Sequence, residues 1–467
     1  MYRIYRKVSD SLEYCFYIEA TQPLSKQELK QIEWLVAETF EPEKTKSESF
    51  FGPESVVEIG PRFSIETPFS SNAVEICRAM NILKVTRIER ANRYKLAGNE
   101  LPDSIFNKHL DRMTEVQYQG EIKSFDTGIV PEDVKIVDLI GLGKSELKRQ
   151  NKENGWGMDE HDIDYNYDLF VNIIERNPTN VELLQIGNGN SEHSRHWYFK
   201  GQLVIDGTPM KQTLFEIVQN PLKKLGNQNC SLVAFRDNAG VIRGFETNLI
   251  LPIFSGRPSR FEIVKKTVHI TCTAETHNHP TFVAPFPGAA TGVGGRGRDN
   301  DAVGRGGMNG IGATGYFLGN LFVPRYKIPG EVVGKNKPSK YASPLSILIE
   351  GSNGASCYHN EVGEPLTLGF ARTFGQIVDG EWREPRKPVL YSGGVGHIFD
   401  EHLKKEAPEV GMLIVRIGGP AYPIGVGGGS ASSMMQGENT ETLDFNSVQR
   451  GNPQMQNKAN RVIRECV

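Results

Sequence analysis

The sequence predicts a multidomain chain of mixed α/β and α+β class, and three observations carry that expectation. Its 467 residues imply about three domains at roughly 100–200 residues each. Short runs with strand and helix periodicity are interleaved from the first residues onward. Glycine, 49 in all, concentrates between Gly288 and Gly319 and again between Gly418 and Gly437, without a collagen-like period.

Residues 1–140 read as a small α+β unit of ferredoxin-like type. Tyr2–Arg6 and Tyr14–Ile18 have strand character. A helix starts after Ser25: Ser25 and Glu28 have capping-box spacing, and Leu29, Ile32, Leu35 and Val36 form a helical stripe. Val56–Ile59 and Val85–Ala91 read as further strands, and Ile105–Met113 as a second helix. Residues 141–200 turn polar and acidic after a short basic helix, which predicts a helical linker domain with little core of its own. Residues 201–410 hold strand-like runs around Phe235 and at Val268–Thr271, Leu345–Glu350 and Val389–Tyr391. A further unit starts at 411: MLIVRIGGP reads as a buried strand followed by a turn. The expectation is that this unit, 411–467, is incomplete, because Arg461–Val467 looks like mid-helix with no stop signal.

Composition narrows the function classes. With 53 basic against 56 acidic residues there is no electrostatic footprint for nucleic acid. No apolar run approaches the roughly 18 residues of a membrane span, and the N-terminus lacks a secretory signal. Cys15, Cys77, Cys230, Cys272, Cys357 and Cys466 form no CxxC pair, which argues against a cysteine zinc site and fits a reducing, cytoplasmic location.

Four segments concentrate reactive groups. Glu275-Thr276-His277-Asn278-His279-Pro280 follows the strand-like VHITCTA, placing acid/base groups and a hard oxygen ligand at a strand end; the alternative is a hydrogen-bonded turn closed by Pro280. The run from Gly288 to Asp299 lacks the Walker lysine and has no strand leading directly into it. It reads as a flexible series of N–H groups forming an anion nest, or else as a plain glycine loop. Arg298 can fork onto a phosphate, and Asp299 adds a second oxygen ligand for Mg²⁺ beside Glu275. The segment Asn190–His196 offers His193, Arg195 and His196 as a base with a phosphate-binding arginine; a zinc site with His277 and His279 is the other reading, against which the HExxH spacing is missing. Gly425–Ser433, with Ser447–Pro453 downstream, suits oxyanion or phosphate contact or a tight packing turn.

Taken in order, NSEHSRH, ETHNHP, GAATGVGGRGRD, SNGASCYHNEVGEP, SGGVGHI, GGPAYPIGVGGGSASS and LDFNSVQRGNP resemble the large-type phosphoribosylformylglycinamidine synthases across residues 185–467, and more weakly before that. The resemblance implies an aminoimidazole-ribonucleotide-synthetase-like ATP-binding fold, incomplete here, in a chain that lacks the second synthetase half and the glutaminase domain. It implies ATP and Mg²⁺ as cofactors. The implied reaction converts formylglycinamide ribonucleotide, with ammonia from glutamine, to the amidine. By the same resemblance Glu275 and Asp299 bind metal, His277 accepts a proton and His193 lies at the reacting amide. Thr276, Asn278, His279, Arg298 and Gln449 contact substrate. Gly288, Ala289, Ala290, Thr291, Gly292, Val293, Gly294, Gly295, Arg296, Gly297, Arg298 and Asp299 lie at the ATP.

The chain departs from the family at Ser194, where cysteine is common, at Thr273, where many relatives carry lysine, and at Arg296, where some are acidic. The His-Asp-x-Gly-Ala-Gly-Gly segment expected further on is missing, as is any Cys/His/Glu triad for making ammonia, so little activity is expected of the 467 residues alone. The competing readings are a related ATP-dependent synthetase with another acceptor, and a non-enzymatic binding or assembly module.

Overall fold

The computed structural model describes the whole chain except residues 53–55, 97–104, 107–108, 112, 121, 129, 131, 190–198, 333–340, 386, 419–424, 426–427, 429–443 and 446. The chain divides into two compact units, Met1–Glu132 and Asp133–Val467.

In the first unit, β1 (Tyr2–Lys7), β2 (Leu12–Ala20), β3 (Thr45–Lys46), β4 (Val56–Pro61), β5 (Val85–Lys95) and β6 (Glu115–Gln117) form one sheet in the order β3-β1-β2-β5-β4-β6, antiparallel throughout. Helices α1 (Lys26–Val36) and α2 (Pro68–Ala79) share one face. There Ile32, Val74 and Cys77 pack on Ile4, Phe16, Ile18 and Ile88. Alternate residues of the same strands, Tyr5, Cys15, Tyr17 and Ala91, face the other way and are covered by Tyr118, Ile122 and Phe125. This two-sided burial follows from the period of two along a strand. The capping box of Ser25 forms as expected: the Glu28 N–H donates to Ser25 Oγ and Glu28 Oε2 accepts from the Ser25 N–H. The split crossing runs β2-α1-β4 around β5. However, α2 joins antiparallel neighbours, β4 and β5, so the helix placement departs from a plain ferredoxin-like order. The expected helix at Ile105–Met113 is seen at Ile105, Phe106 and His109, with an N–H to carbonyl bond from Leu110 to Phe106.

The second unit opens with four short helices, α3 (Leu139–Leu142), α4 (Lys144–Asn154), α5 (Glu160–Asp168) and α6 (Asn180–Gly189). Contrary to the expectation of a core-poor linker, they enclose Leu139, Leu147, Trp156, Ile163, Phe170 and Leu183. The apolar residues are sparse, but these six converge, which polar composition alone conceals. An exposed hairpin, β7 (Val204–Ile205) and β8 (Thr208–Pro209), and helix α7 (Leu214–Leu225) follow.

A second six-stranded sheet follows: β9 (Ser231–Val233), β10 (Gly240–Pro252), β11 (Phe261–Thr276), β12 (Met308–Leu318), β13 (Leu366–Thr373) and β16 (Val389–Phe399). The order is β13-β12-β16-β11-β10-β9. Only β12 and β13 are parallel, joined through α10 (Pro344–Val362); a small hairpin, β14 (Gln376–Val378) and β15 (Glu381–Arg383), lies between β13 and β16. Helices α8 (Asn278–Val283), α9 (Pro285–Ala302) and α10 cover one face, burying Phe282, Val293, Tyr316, Ile347, Tyr358 and Leu390. Helix α11 (Pro453–Cys466) ends the chain.

Three local expectations are corrected. Leu345–Glu350 lies in α10, not in a strand: Ser343 caps it, accepting from the Ser346 N–H, and Pro344 occupies its first turn, a combination that starts helices. The strand near Phe235 ends at Val233, and Phe235 itself has a left-handed φ of 61° in a turn. Met412–Ile417 is neither strand nor buried: Leu413 and Ile414 are almost fully exposed, so hydrophobicity there marks a surface not covered by the described residues.

Candidate functional site

Strand β11 ends at Thr276, and the chain turns at His277 into α8. Side chains alternate along β11, so Thr273 and Glu275 point toward the helical layer while Thr276 points away and is exposed. Ser392 of β16 lies directly opposite Glu275 in the register. Thr273 Oγ1, Glu275 Oε2 and Ser392 Oγ are all buried without a hydrogen-bond partner among the described residues. Buried polar atoms are ordinarily satisfied. A neighbouring group of three that are not marks a place where water, a cation or a bound molecule completes the bonding.

The largest correction concerns residues 288–299. They form no nest: they are the interior of α9, whose N–H groups are spent on the helix itself. The glycines are there for proximity. A Cβ on Gly292 would stand 2.7 Å from the Cβ of His277, and one on Gly295 would stand 2.7 Å from Glu275 Oε2. Helix α9 thus lies against the strand end because the facing positions have no side chain. Asp299 falls one turn beyond Gly295 on the same side of the helix, and Asn238 Nδ2 donates to its Oδ1 at 3.1 Å. Burial, and then the negative charge of Asp299, push the Glu275 carboxyl up to about 7, with Arg298 and Arg296 opposing the shift. A buried carboxylate raised by a second carboxylate beside it suits a hard cation that keeps water or phosphate as its remaining ligands. Among the described residues no three His, Cys, Asp or Glu side chains form a metal-binding group, so the two carboxylates make a partial set.

His277 is held on three sides. Its Nδ1 lies 2.5 Å from the carbonyl of Gly288, its own N–H donates to Leu390 O at 3.0 Å, and its carbonyl accepts from Thr281 Oγ1 at 2.6 Å. A carbonyl only accepts, so Nδ1 carries the hydrogen and the basic lone pair of the neutral ring sits on Nε2. Asn278 Oδ1 accepts from the Leu390 N–H at 3.1 Å, tying the turn to β16. His279 Nε2 is 3.3 Å from Asp444 Oδ1, without hydrogen-bond alignment. Burial depresses its pKa, partly offset by Asp444. Asp444 also accepts from the Tyr341 hydroxyl.

Residues after 444 reach the same layer. Thr291 Oγ1 donates to the carbonyl of Gln449 at 3.0 Å, and Arg298 Nη1 donates to Gln456 Oε1 at 3.2 Å. Arg298 and Gln449 are both exposed at this edge. Arg296, two residues from Arg298, is the reverse case: it is 1% exposed and paired with Glu364, with Asn309 Oδ1 accepting from its Nη1 at 3.0 Å. Its charge is therefore spent inside the layer, and its expected place at a nucleotide is not accessible. The structure thus brings Glu275, His277, Asn278, Asp299, Arg298 and Gln449 to one end of the sheet. Ser392, Asp444, Tyr341 and Gln456 were not singled out from the sequence. Ser392 and Asp444 lie within the quoted SGGVGHI and LDFNSVQRGNP, but nothing local reveals that they face β11 and α8. His193, with the zinc alternative that used it and His196, lies outside the described residues, as does most of 419–443.

Known proteins similar to this chain carry related descriptions. Residues 13–124 match the family model of the formylglycinamide ribonucleotide amidotransferase N-terminal domain, and residues 147–196 match that of its linker domain. The phosphoribosylformylglycinamidine synthase of Dictyostelium discoideum is 46% identical over 472 residues, covering 97% of this chain and 35% of that protein. The human enzyme of that name is 42% identical over 469 residues, covering 97% and 35%. A probable chloroplastic/mitochondrial one from Arabidopsis thaliana is 45% identical over 474 residues, covering 98% and 34%. A solved structure of Thermotoga maritima PurL complexed with FGAR is 19% identical, covering 63% of this chain and 36% of that one with a TM-score of 0.36. The chain spans about a third of the length of the relatives it matches. It carries the N-terminal and linker domains of the formylglycinamide ribonucleotide amidotransferase family and is similar, over nearly all its residues, to the phosphoribosylformylglycinamidine synthases.

Proposed function

We propose that this chain supplies the substrate-activating site of a phosphoribosylformylglycinamidine synthase. The reaction is the ATP-dependent conversion of formylglycinamide ribonucleotide, with ammonia derived from glutamine, to formylglycinamidine ribonucleotide. The observation that carries the reading is the pairing of the unsatisfied Glu275 carboxylate with Asp299 across the glycine side of α9, next to an oriented His277.

In this reading Glu275 and Asp299 hold Mg²⁺, which when bound neutralises triphosphate charge. Arg298, exposed and held at one nitrogen by Gln456, presents its remaining N–H groups to the anionic substrate. His277, its tautomer fixed by the Gly288 carbonyl, takes a proton at Nε2 from the entering ammonia. Asn278 and Gln449 form the substrate rim, with His193 at the reacting amide; of the other expected contacts, Thr276 points away from the helical layer and His279 is turned to the buried Asp444. Between Gly288 and Asp299 the contact to the nucleotide falls to Arg298, the exposed residue of that stretch, and to the half-buried Asp299, because Gly288–Gly294, Arg296 and Gly297 are, Ala290 apart, buried in the helix layer and form no backbone nest. The division 1–140, 141–200, 201–410 and 411–467 belongs to the same proposal, as do a glutaminase partner domain and a cytoplasmic location. No helix among the described residues is long and apolar enough to cross a membrane.

One further observation bears on the assembly-module reading. The sheet face opposite α9 and α10 shows Ile242, Ile270, Ile311, Phe317, Leu368 and Val395 to solvent. A second synthetase half covering this face unites both readings, since a contiguous apolar patch marks an interaction site. The test is His277→Ala in an enzyme containing this chain together with the second half and glutaminase. Synthetase turnover is expected to fall by roughly 10²–10⁴-fold with glutaminase activity retained; near wild-type turnover refutes the role.

A further inference from the structure

We infer that the second unit carries a separate site for a small organic phosphate with a planar ring, at the end of the sheet below α11. A cavity of about 610 Å³ opens there, bounded by the last residues of β10, the end of α9 with the loop leading into β12, the end of β16 and the inner side of α11. That size lies within the roughly 300–1,000 Å³ of small-molecule sites.

Two parts of the lining differ in chemistry. On α11, Arg461 and Arg464 stand three residues apart and so project to the same side of the helix. Among the described residues neither takes part in an ion pair, whereas Arg305, on the adjoining loop, is engaged by Glu406 at 2.7 Å and by the carbonyl of Glu401 at 2.7 Å. The acidic side chain lining the space is Asp301. Its two oxygens already accept from Asn309 Nδ2 and Asn460 Nδ2, each at 2.8 Å, so it does not neutralise the guanidinium pair by hydrogen bonding. The same cavity is also lined by a cluster of rings: His397 and Phe399 have centroids 6.1 Å apart, and Phe399 and His402 5.8 Å apart. Burial lowers the pKa of both histidines, which keeps this part of the lining neutral and stackable.

Two adjacent guanidinium forks match the charge and the oxygen count of a phosphate dianion, where a single carboxylate would occupy only one. The rings lining the same cavity suit an aromatic body attached to that phosphate. None of these residues belongs to the site proposed above.

The test is calorimetric titration of adenosine 5′-monophosphate into the 467-residue chain. Saturable binding is expected, weakened tenfold or more by Arg461→Gln with Arg464→Gln, about threefold or more by His402→Ala, and unchanged by Glu275→Gln. Inorganic phosphate alone is expected to bind at least tenfold more weakly than the nucleotide. Both arginines are exposed, so the double variant should keep its melting temperature; if it fails to fold, His402→Ala serves in its place. Three results would overturn the proposal: no saturable binding; binding that survives the arginine and His402 changes; or binding lost on Glu275→Gln, which assigns the nucleotide to the other site. Equal affinity for phosphate and nucleotide would remove the ring from it.

Discussion

The two sheets are built to opposite economies of surface. In the N-terminal sheet both faces are packed: Ile88 is fully buried beneath the helices, and Tyr17 and Ala91 are buried on the reverse side. In the second sheet one face lies under α8, α9 and α10, while the other leaves Val395 43% and Leu368 58% exposed. The first sheet completes its own core. The second uses its covered face to hold a polar site and leaves its uncovered face to another surface. Stability and function are thus separated along the chain.

That contrast can be broken most sharply at Arg93. Its guanidinium serves the fully buried Glu13 and, at 3.1 Å, Glu58, whose other oxygen accepts from the Tyr17 hydroxyl. Removing it strands two carboxylates inside a packed sheet. Arg93→Ala should cost about 3–5 kcal/mol in urea denaturation, with hydrogen exchange locating the loss in residues 1–132; a loss under about 1 kcal/mol would mean the network is solvated. Matched truncations come next. Ile88→Ala should cost about 2–5 kcal/mol, whereas Val395→Ala should stay within about 0.5 kcal/mol. Equal losses would show that the outer face is covered in solution.

A third effect is smaller and opposite to local propensity. Gly292→Ala improves helix propensity by about 1 kcal/mol, yet its Cβ meets the Cβ of His277. Overpacking of this kind costs about 1–3 kcal/mol, so thermal unfolding should show no gain or a net loss. A clear gain would mean that α9 does not press on the strand end.

The last effect is the pH dependence. The Glu275 carboxyl is raised from 4.5 to about 7, so the folded state holds its proton more tightly than the unfolded chain. Below about pH 4.5 both states are protonated and nothing is lost. Between about 4.5 and 7 stability falls as pH rises, and above 7 the cost of the buried charge is complete. Glu275→Gln should flatten that slope in denaturation measured across this range; an unchanged slope would assign it to other groups.

Much of the first sheet was legible because its signals are local: Ser25 and Glu28 announce α1, and alternation announces β1, β2, β4 and β5. The cluster Glu275–His279 was legible as chemistry because five residues carry it. Residues 288–299 misled, since their five glycines have low helix preference, and only contact with His277, Glu275 and Tyr358 explains a helix there. The run LSILIE misled for the opposite reason: an apolar stretch does not by itself distinguish strand from buried helix, although Ser343-Pro344 marked the start. Asp444 and Gln456 were invisible as site neighbours because each meets its partner across more than a hundred residues of chain, His279 and Arg298 respectively.

The direct test of the central claim is Mn²⁺ binding by electron paramagnetic resonance in the presence of a non-hydrolysable ATP analogue, at pH 8. Wild-type chain is expected to hold one ion, with affinity reduced at least tenfold in Glu275→Gln and in Asp299→Asn. Equal Mn²⁺ binding by all three proteins would contradict the account.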